Sequence, residues 1–502
     1  MRVYKRKHKS AQADELPSTL SYDDIIIGSG AGGGHLAMKL AKTGRRILII
    51  EAGKLQLNND FNDDELKSYQ NLYQEQLSRT SSDKKIKILQ GKAVGGSTTV
   101  NWTSSFRTPE STLKHWEQEY GIKLDLTKHF ESVEAFYGMK KWEGPINNNN
   151  QLLQKVCEKN NWEYGTIARN VNGCANTGLC GLGCPVNAKQ SSLISSIPKA
   201  LKENVEIISE LSVEKLNYLN ENIISISAYN PSKKEFTIKA KRFFLCAGSI
   251  GTPGIMLRSE LRDPYQLTGK RTFLHPTLMS AYVSDQIVEG AKGAPQTIYS
   301  NHFLEDGFKE ETMGFKLEVA PIHPVLYATV SDDYGKDHFD FMQKRPYLSA
   351  QILLLRDGLH PKSQGGEVFL NKHNLPELKY DQNDFFKNAA KRAMSILASA
   401  QLDAGAKAIY PGLYNTQFVS DKSEFNKLIN DPNRFIKVFS AHVMGGAPMG
   451  TDEKKSLVST NGKSHYYNNL YIMDGSVFPT SIGANPMESI YALVDHMSDD
   501  LD

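Results

Sequence analysis

The chain has 502 residues, with 59 basic against 56 acidic residues and a formal net charge of +3. That balance argues against a nucleic-acid partner or an anionic membrane surface. No apolar run approaches the ~20 residues that span a bilayer, and the basic start (Arg2, Lys5, Arg6, Lys7, Lys9) lacks the apolar core of a secretory signal. A cytoplasmic location is therefore expected.

Residues 23–53 read as strand, tight turn, helix and strand. The β-branched run 24–27 suits a strand buried on both faces. Gly28, Gly30 and Gly33 follow it in the spacing G-x-G-x-x-G. The first glycine permits the turn, the second lets a pyrophosphate approach the backbone, and the third lets the helix pack on the strand. The free N–H groups of that helix suit phosphate. Gly44 falls where a left-handed helix cap is expected. The second strand, 46–50, ends on Glu51, placed to bind a ribose. The pattern says dinucleotide without choosing which.

A polar stretch runs to residue 85, and residues 86–90 lead into GKAVGGSTTVN at 91–101, whose glycines suit close passage by a ligand. Helical spacing marks 111–139. A loop at 173–189 holds Cys174, Cys180 and Cys184. A helix is predicted over 191–201 and strands over 205–209, 213–219 and 223–228. A buried strand at 236–246 then runs into small residues and a new helix. From about 272 to 435 the texture becomes aromatic and β-rich. Strands are predicted at 279–283, 314–319, 325–330, 348–355 and 367–370, followed by a helix over 384–405. The glycine-rich tail, 440–502, ends in a helix over 486–497.

Four blocks in order resemble the glucose–methanol–choline family of FAD-dependent oxidoreductases. They are the fingerprint with Glu51, GKAVGGSTTVN, LCAGSIGTPGIML at 245–257, and the tail from SAHVMGG to GANPMESIYALV. The resemblance implies an α/β fold with a doubly wound, Rossmann-like FAD domain assembled from 20–110, 190–270 and 435–502. A substrate domain with an antiparallel sheet and helices would comprise 111–189 and 271–434. It further implies that Gly28, Gly30 and Gly33 face the pyrophosphate and Glu51 the adenosine ribose. Gly95, Gly96, Thr98 and Asn101 would line the flavin side, Val213 would meet adenine, and Asp474 would bind the ribityl–phosphate region.

For the chemistry, the resemblance implies oxidation of a CH–OH group by hydride transfer to the flavin. His442 would be the base and Asn485, which cannot take a proton, would orient the substrate oxygen. His275 reads as structural, and Glu318, in the predicted sheet, as solvent-facing or salt-bridged more readily than substrate-facing. The tail GANPMESIYAL resembles the sterol- and long-chain-alcohol-oxidase branches, which hints at an apolar alcohol. The expected partners are an alcohol and an electron acceptor: oxygen, a quinone or a cytochrome. Two other readings share the fold, a non-redox or light-driven lyase or decarboxylase and the flavoprotein subunit of an electron-transfer complex. The cysteine trio resembles loops that bind an iron–sulfur cluster in some family members. A loop of free thiols is favoured over that cluster, and a zinc site comes third.

Overall fold

The computed structural model describes residues 19–501, so the basic lead-in lies outside it. Its organising sheet has seven strands. β1 (Thr19–Ile27) is central, with β2 (Ile47–Ile50) parallel on one side and the strand Glu235–Leu245 parallel on the other. The helix α1 (Ala31–Leu40) connects β1 to β2, and a short 3-10 turn after it ends at Gly44 with φ +72°. Ile25, Ile26, Leu48 and Ile49 are fully buried, as strands covered on both faces require.

Glu235–Leu245 serves two partners. Its first half takes the antiparallel strand Asn222–Tyr229 and its second half takes Leu470–Ile472 in parallel. The far end of the chain is thereby brought into the sheet that the N-terminal fingerprint opens.

A second sheet of eight strands is built on Thr277–Val283, Leu348–Leu355 and Phe315–Ala320, which pair antiparallel. Side chains alternate across it. Leu317, Val319, Leu353 and Leu355 share a core with Ala390, Ala393 and Leu397 of the helix Asp384–Asp403. The opposite face carries Lys316 and Glu318, set across from Leu354 and Ile352. This alternation aims two charged side chains at the interior.

Three expectations change. Residues 325–330 do not form a strand; Pro324–Ala328 is a helix that starts on proline, and Glu65 accepts hydrogen bonds from the N–H groups of Val325 (2.7 Å) and Leu326 (3.0 Å). A short apolar run carries no periodicity to distinguish the two, and a proline-led, carboxylate-capped start favours helix. The helix over 191–201 shrinks to Ser196–Ala200, because the residues before it turn to bond the 91–101 loop, Ser192 N–H to Thr98 Oγ1 at 3.1 Å. The strands Ile86–Ile88 and Val438–Ser440, grouped by sequence with the FAD segments, pair with each other in the second sheet.

Candidate active site

A cavity of about 950 Å³ runs between the two sheets. At one end the fingerprint turn meets the 91–101 loop. Gly28, Gly30, Gly96, Thr98 and Asn101 line it, and α1 begins there with no side chain capping its free N–H groups. Gly33 does not line the cavity: a Cβ on it would sit 2.0 Å from the Gly28 carbonyl oxygen, so it serves the helix–strand contact. At Gly30 the nearest protein atom to an added Cβ is 3.9 Å away, which leaves that space for a ligand. Gly95 is turned from the cavity and donates its N–H to Ser29 Oγ at 2.9 Å. Thr98 Oγ1 donates to the Gly95 carbonyl at 2.6 Å.

Glu51 is buried, and its carboxylate accepts from Ser29 N–H (3.1 Å), Ser29 Oγ (2.7 Å) and Gly53 N–H (2.7 Å). Burial pushes its pKa up while those donors pull it back. Leu211 N–H bonds the Glu51 carbonyl, which brings Val213 to the same end. Ser29, the second residue of the motif, ties fingerprint, acid and loop together. Sequence reasoning passed over it, although its hydroxyl type was the signal.

Asp474 lines the cavity, but its carboxylate accepts from Gly248 N–H (2.8 Å), Thr252 Oγ1 (2.6 Å), and Ser476 N–H (2.8 Å) and Oγ. Its acceptor sites are filled by protein. Asp474 thus holds the start of the helix Gly248–Arg258, a supporting task that differs from the cofactor contact expected of it.

The other end gathers residues from distant segments. His442 sits where the chain passes from Val438–Ser440 in one sheet to Val443–Gly445 in another. Its Nδ1 lies 3.0 Å from His275 Nδ1, and His275 Nε2 accepts from Gly483 N–H at 3.1 Å. Burial, with Lys316 adding repulsion, lowers the His442 pKa to about 3. Burial first, then His442 and Lys316, holds His275 well below its usual range. Both rings are neutral at ordinary pH.

Asn485 faces this end from the tail. Its Oδ1 accepts from Lys316 Nζ and its Nδ2 donates to Glu318 Oε2, each at 3.2 Å. An ammonium cannot accept and a carboxylate cannot donate, so the amide's orientation is fixed. Lys316 and Glu318 form a buried ion pair at 3.1 Å, and Gln296 Nε2 donates to Glu318 at 2.8 Å. Burial lowers Lys316 to about 8 against the pull of Glu318. Glu318 is both salt-bridged and cavity-facing.

The three clustered cysteines are not brought into one ligand set. Among the described residues the one group whose ligand atoms converge is His129, Asp495 and Asp499, and there Lys39 and Lys128 already pair with the acids. Cys180 Sγ instead lies 3.6 Å from Arg169 Nη2. Lys189, buried beside it and missed by sequence reasoning, donates to the carbonyls of Thr99 (2.8 Å), Asn101 (2.7 Å) and Cys180 (2.7 Å). The loop is therefore pinned to the cavity wall by a cation.

Family models described as GMC oxidoreductase match residues 69–277 and 361–493. The chain belongs to the GMC oxidoreductases. It is 28% identical over 504 residues to a long-chain-alcohol oxidase of Arabidopsis thaliana, an alignment covering 93% of this chain and 65% of that protein. The GMC chain thus spans just under two thirds of that relative's length. Its fold matches a formate oxidase of Aspergillus oryzae with a TM-score of 0.73 at 15% identity, covering 96% of this chain and 98% of the other. A pyridoxine 4-oxidase of Mesorbium loti gives 0.69 at 14% identity, covering 95% and 98%. FAD is the cofactor of this GMC chain, and the site fits it. The open space over Gly30 and the uncapped start of α1 suit a pyrophosphate, and Asn101 Oδ1, buried without a protein partner, awaits a donor. No described helix is long and apolar enough to cross a membrane.

Proposed function

We propose that the chain oxidises the CH–OH group of an apolar alcohol, with His442 and Asn485 holding the alcohol oxygen. The observation that carries this reading is the reacting end of the cavity. His442 and Asn485 line the cavity together with Trp102, Leu326, Ile352, Leu354 and Phe439, and Gln296 and Glu318 line it beside Asn485. An apolar wall with few fixed polar groups accepts a hydrocarbon and orients one oxygen. That the relative quoted above is a long-chain-alcohol oxidase supports the same substrate class.

FAD, when bound, supplies the hydride acceptor. Gly28, Gly30, Gly96 and Asn101 would hold it, with Glu51 and Val213 at its adenosine end. The protein supplies orientation and a place for the hydroxyl proton. Asn485 keeps one N–H free after serving Glu318, and His442 keeps Nε2 free of protein partners. Two groups at this end can take a proton, the His442 imidazole and the Glu318 carboxylate.

The test is an anaerobic visible spectrum of the FAD-loaded protein titrated with primary alcohols of increasing chain length. Flavin bleaching that strengthens with chain length is expected. His442→Ala should keep FAD and lose bleaching rate by on the order of 10³-fold. A wild-type spectrum indifferent to every alcohol would overturn the reading.

A further inference from the structure

Lys189 closes the cysteine loop and is 2% exposed. An ammonium has three N–H bonds and no acceptor. Here all three go to backbone carbonyls, those of Thr99, Asn101 and Cys180 (2.8, 2.7 and 2.7 Å). Thr99 and Asn101 lie at the end of the 3-10 turn Gly96–Thr99, where carbonyls run out of partners within the turn. No acid pairs with Lys189 among the described residues; the titratable groups facing it are Cys180, Cys184 and Arg169. The backbone just beyond is strained. Thr103, β-branched and fully buried, sits at φ +68°, a region such residues rarely enter. Arg169 Nε donates to Thr103 Oγ1 at 2.8 Å, and Arg169 Nη2 to the Trp102 carbonyl at 3.4 Å. Two buried cations thus grip consecutive residues of this wall, Lys189 at 99 and 101 and Arg169 at 102 and 103. Within that grip Asn101 lines the cavity, its Nδ2 on Met487 Sδ at 2.9 Å and its Oδ1 buried without a partner. Strain of this kind persists where the surroundings over-determine it, and it gathers at ligand sites.

We infer that Lys189 is a positioning residue whose ammonium clamps the 99–101 turn and so aims the Asn101 side-chain oxygen at FAD. The inference goes beyond alcohol oxidation and needs no substrate; it rests on FAD being the cofactor. A side chain without the ammonium would leave three carbonyls of the buried wall short of a donor, and the turn would shift to find others. The clamp also depends on pH. A neutral amine keeps two N–H bonds for three carbonyls, so the turn slackens once the proton leaves. Burial lowers Lys189 to about 8, with Cys180 and Cys184 pulling it back up and Arg169 adding to the fall. The grip on FAD is then full at pH 7 and weakens as pH rises past that value.

The experiment is a titration of the apoprotein with FAD, followed by flavin fluorescence between about pH 7 and pH 9. In the wild type the dissociation constant should rise about tenfold across that range; a flat profile overturns the inference. The double variant Cys180→Ser, Cys184→Ser should keep the rise, and its loss there would assign the effect to the thiols and refute the clamp. Lys189→Met should bind FAD about 10- to 100-fold more weakly at neutral pH, with no further weakening in alkali. A Lys189→Met protein that binds as tightly as the wild type refutes the clamp outright. The route through Asn101 is read by a double-mutant cycle. Asn101→Ala alone should weaken binding about tenfold, and in the Lys189→Met background it should add little. Losses that multiply would mean that Lys189 does not act through Asn101, and the positioning role falls. Should Lys189→Met fail to fold, the wild-type and double-serine profiles decide, since both retain the lysine. Binding is read without substrate, so a protein with the expected profile that oxidises no alcohol sinks the proposed function alone.

Discussion

The two ends of the cavity are built on different principles. At the cofactor end the contacts are made by backbone and by space: glycines, an uncapped helix start, and one acid held by Ser29 of the motif and by Gly53. At the reacting end they are made by side chains drawn from four separate segments, around residues 275, 316–318, 442 and 483–485. Local geometry suffices for the first. The second exists only once both sheets and the tail have met, and its charges and imidazoles are buried in the process. The first end should therefore fail by steric exclusion and the second by broken partnership.

The largest expected effect tests that contrast at the ion pair. Lys316→Met leaves the Glu318 carboxylate fully buried without its cation, which costs about 3–5 kcal/mol in comparable pairs. Denaturant unfolding of the FAD-free protein should report that loss. Lys316→Met combined with Glu318→Leu should regain most of it, because the burden is the orphaned charge. A double variant no more stable than the single one would mean that Lys316 matters through its packing on Phe106, 2.9 Å from the ring centroid.

The next effect contrasts two glycines of one motif. Gly33→Ala forces a Cβ to within 2.0 Å of a backbone oxygen, and should lower stability by about 1–3 kcal/mol or more with or without FAD. Gly30→Ala meets no protein atom closer than 3.9 Å. It should leave the apoprotein's melting temperature unchanged and weaken FAD binding, measured by flavin fluorescence. If Gly30→Ala instead destabilised the apoprotein as much as Gly33→Ala does, the open space over Gly30 would not be the cofactor's.

This difference also explains what the sequence disclosed. The fingerprint, the 91–101 loop and Glu51 were legible because glycine spacing and an acid at a strand end are local patterns, although the bond from Ser29 to Glu51 spans 22 residues. His442 and Asn485 were reachable through the tail's family resemblance. The alternation of Phe315, Leu317 and Val319 with Lys316 and Glu318 was visible too, and it marks one apolar and one polar face. What the alternation cannot express is that the polar face is covered by the tail. His275 had the same difficulty, since its partner His442 lies 167 residues away and its other ring nitrogen is met by an N–H from Gly483. The helix Pro324–Ala328 was missed for want of length: five residues offer no period, and its cap, Glu65, belongs to another part of the chain.

Acid separates the two ends by the sign of its effect. In the unfolded chain His442 titrates near 6.5, whereas in the fold burial holds it at about 3. Between those values the unfolded state binds the extra proton, so this site makes stability fall as pH falls, by up to about 1.4 kcal/mol per pH unit. Glu51 and Asp474 act oppositely, because burial raises their pKa values. From those raised values down to the ordinary carboxylate range the native state holds the extra proton, and acid relieves a cost already present. Unfolding free energies of the apoprotein between pH 7 and 5 should thus decline less steeply in His442→Gln than in the wild type, the difference approaching one proton. Identical slopes would mean that His442 takes up its proton in the folded protein, and the reacting end would then be wetter and less constrained than its packing implies.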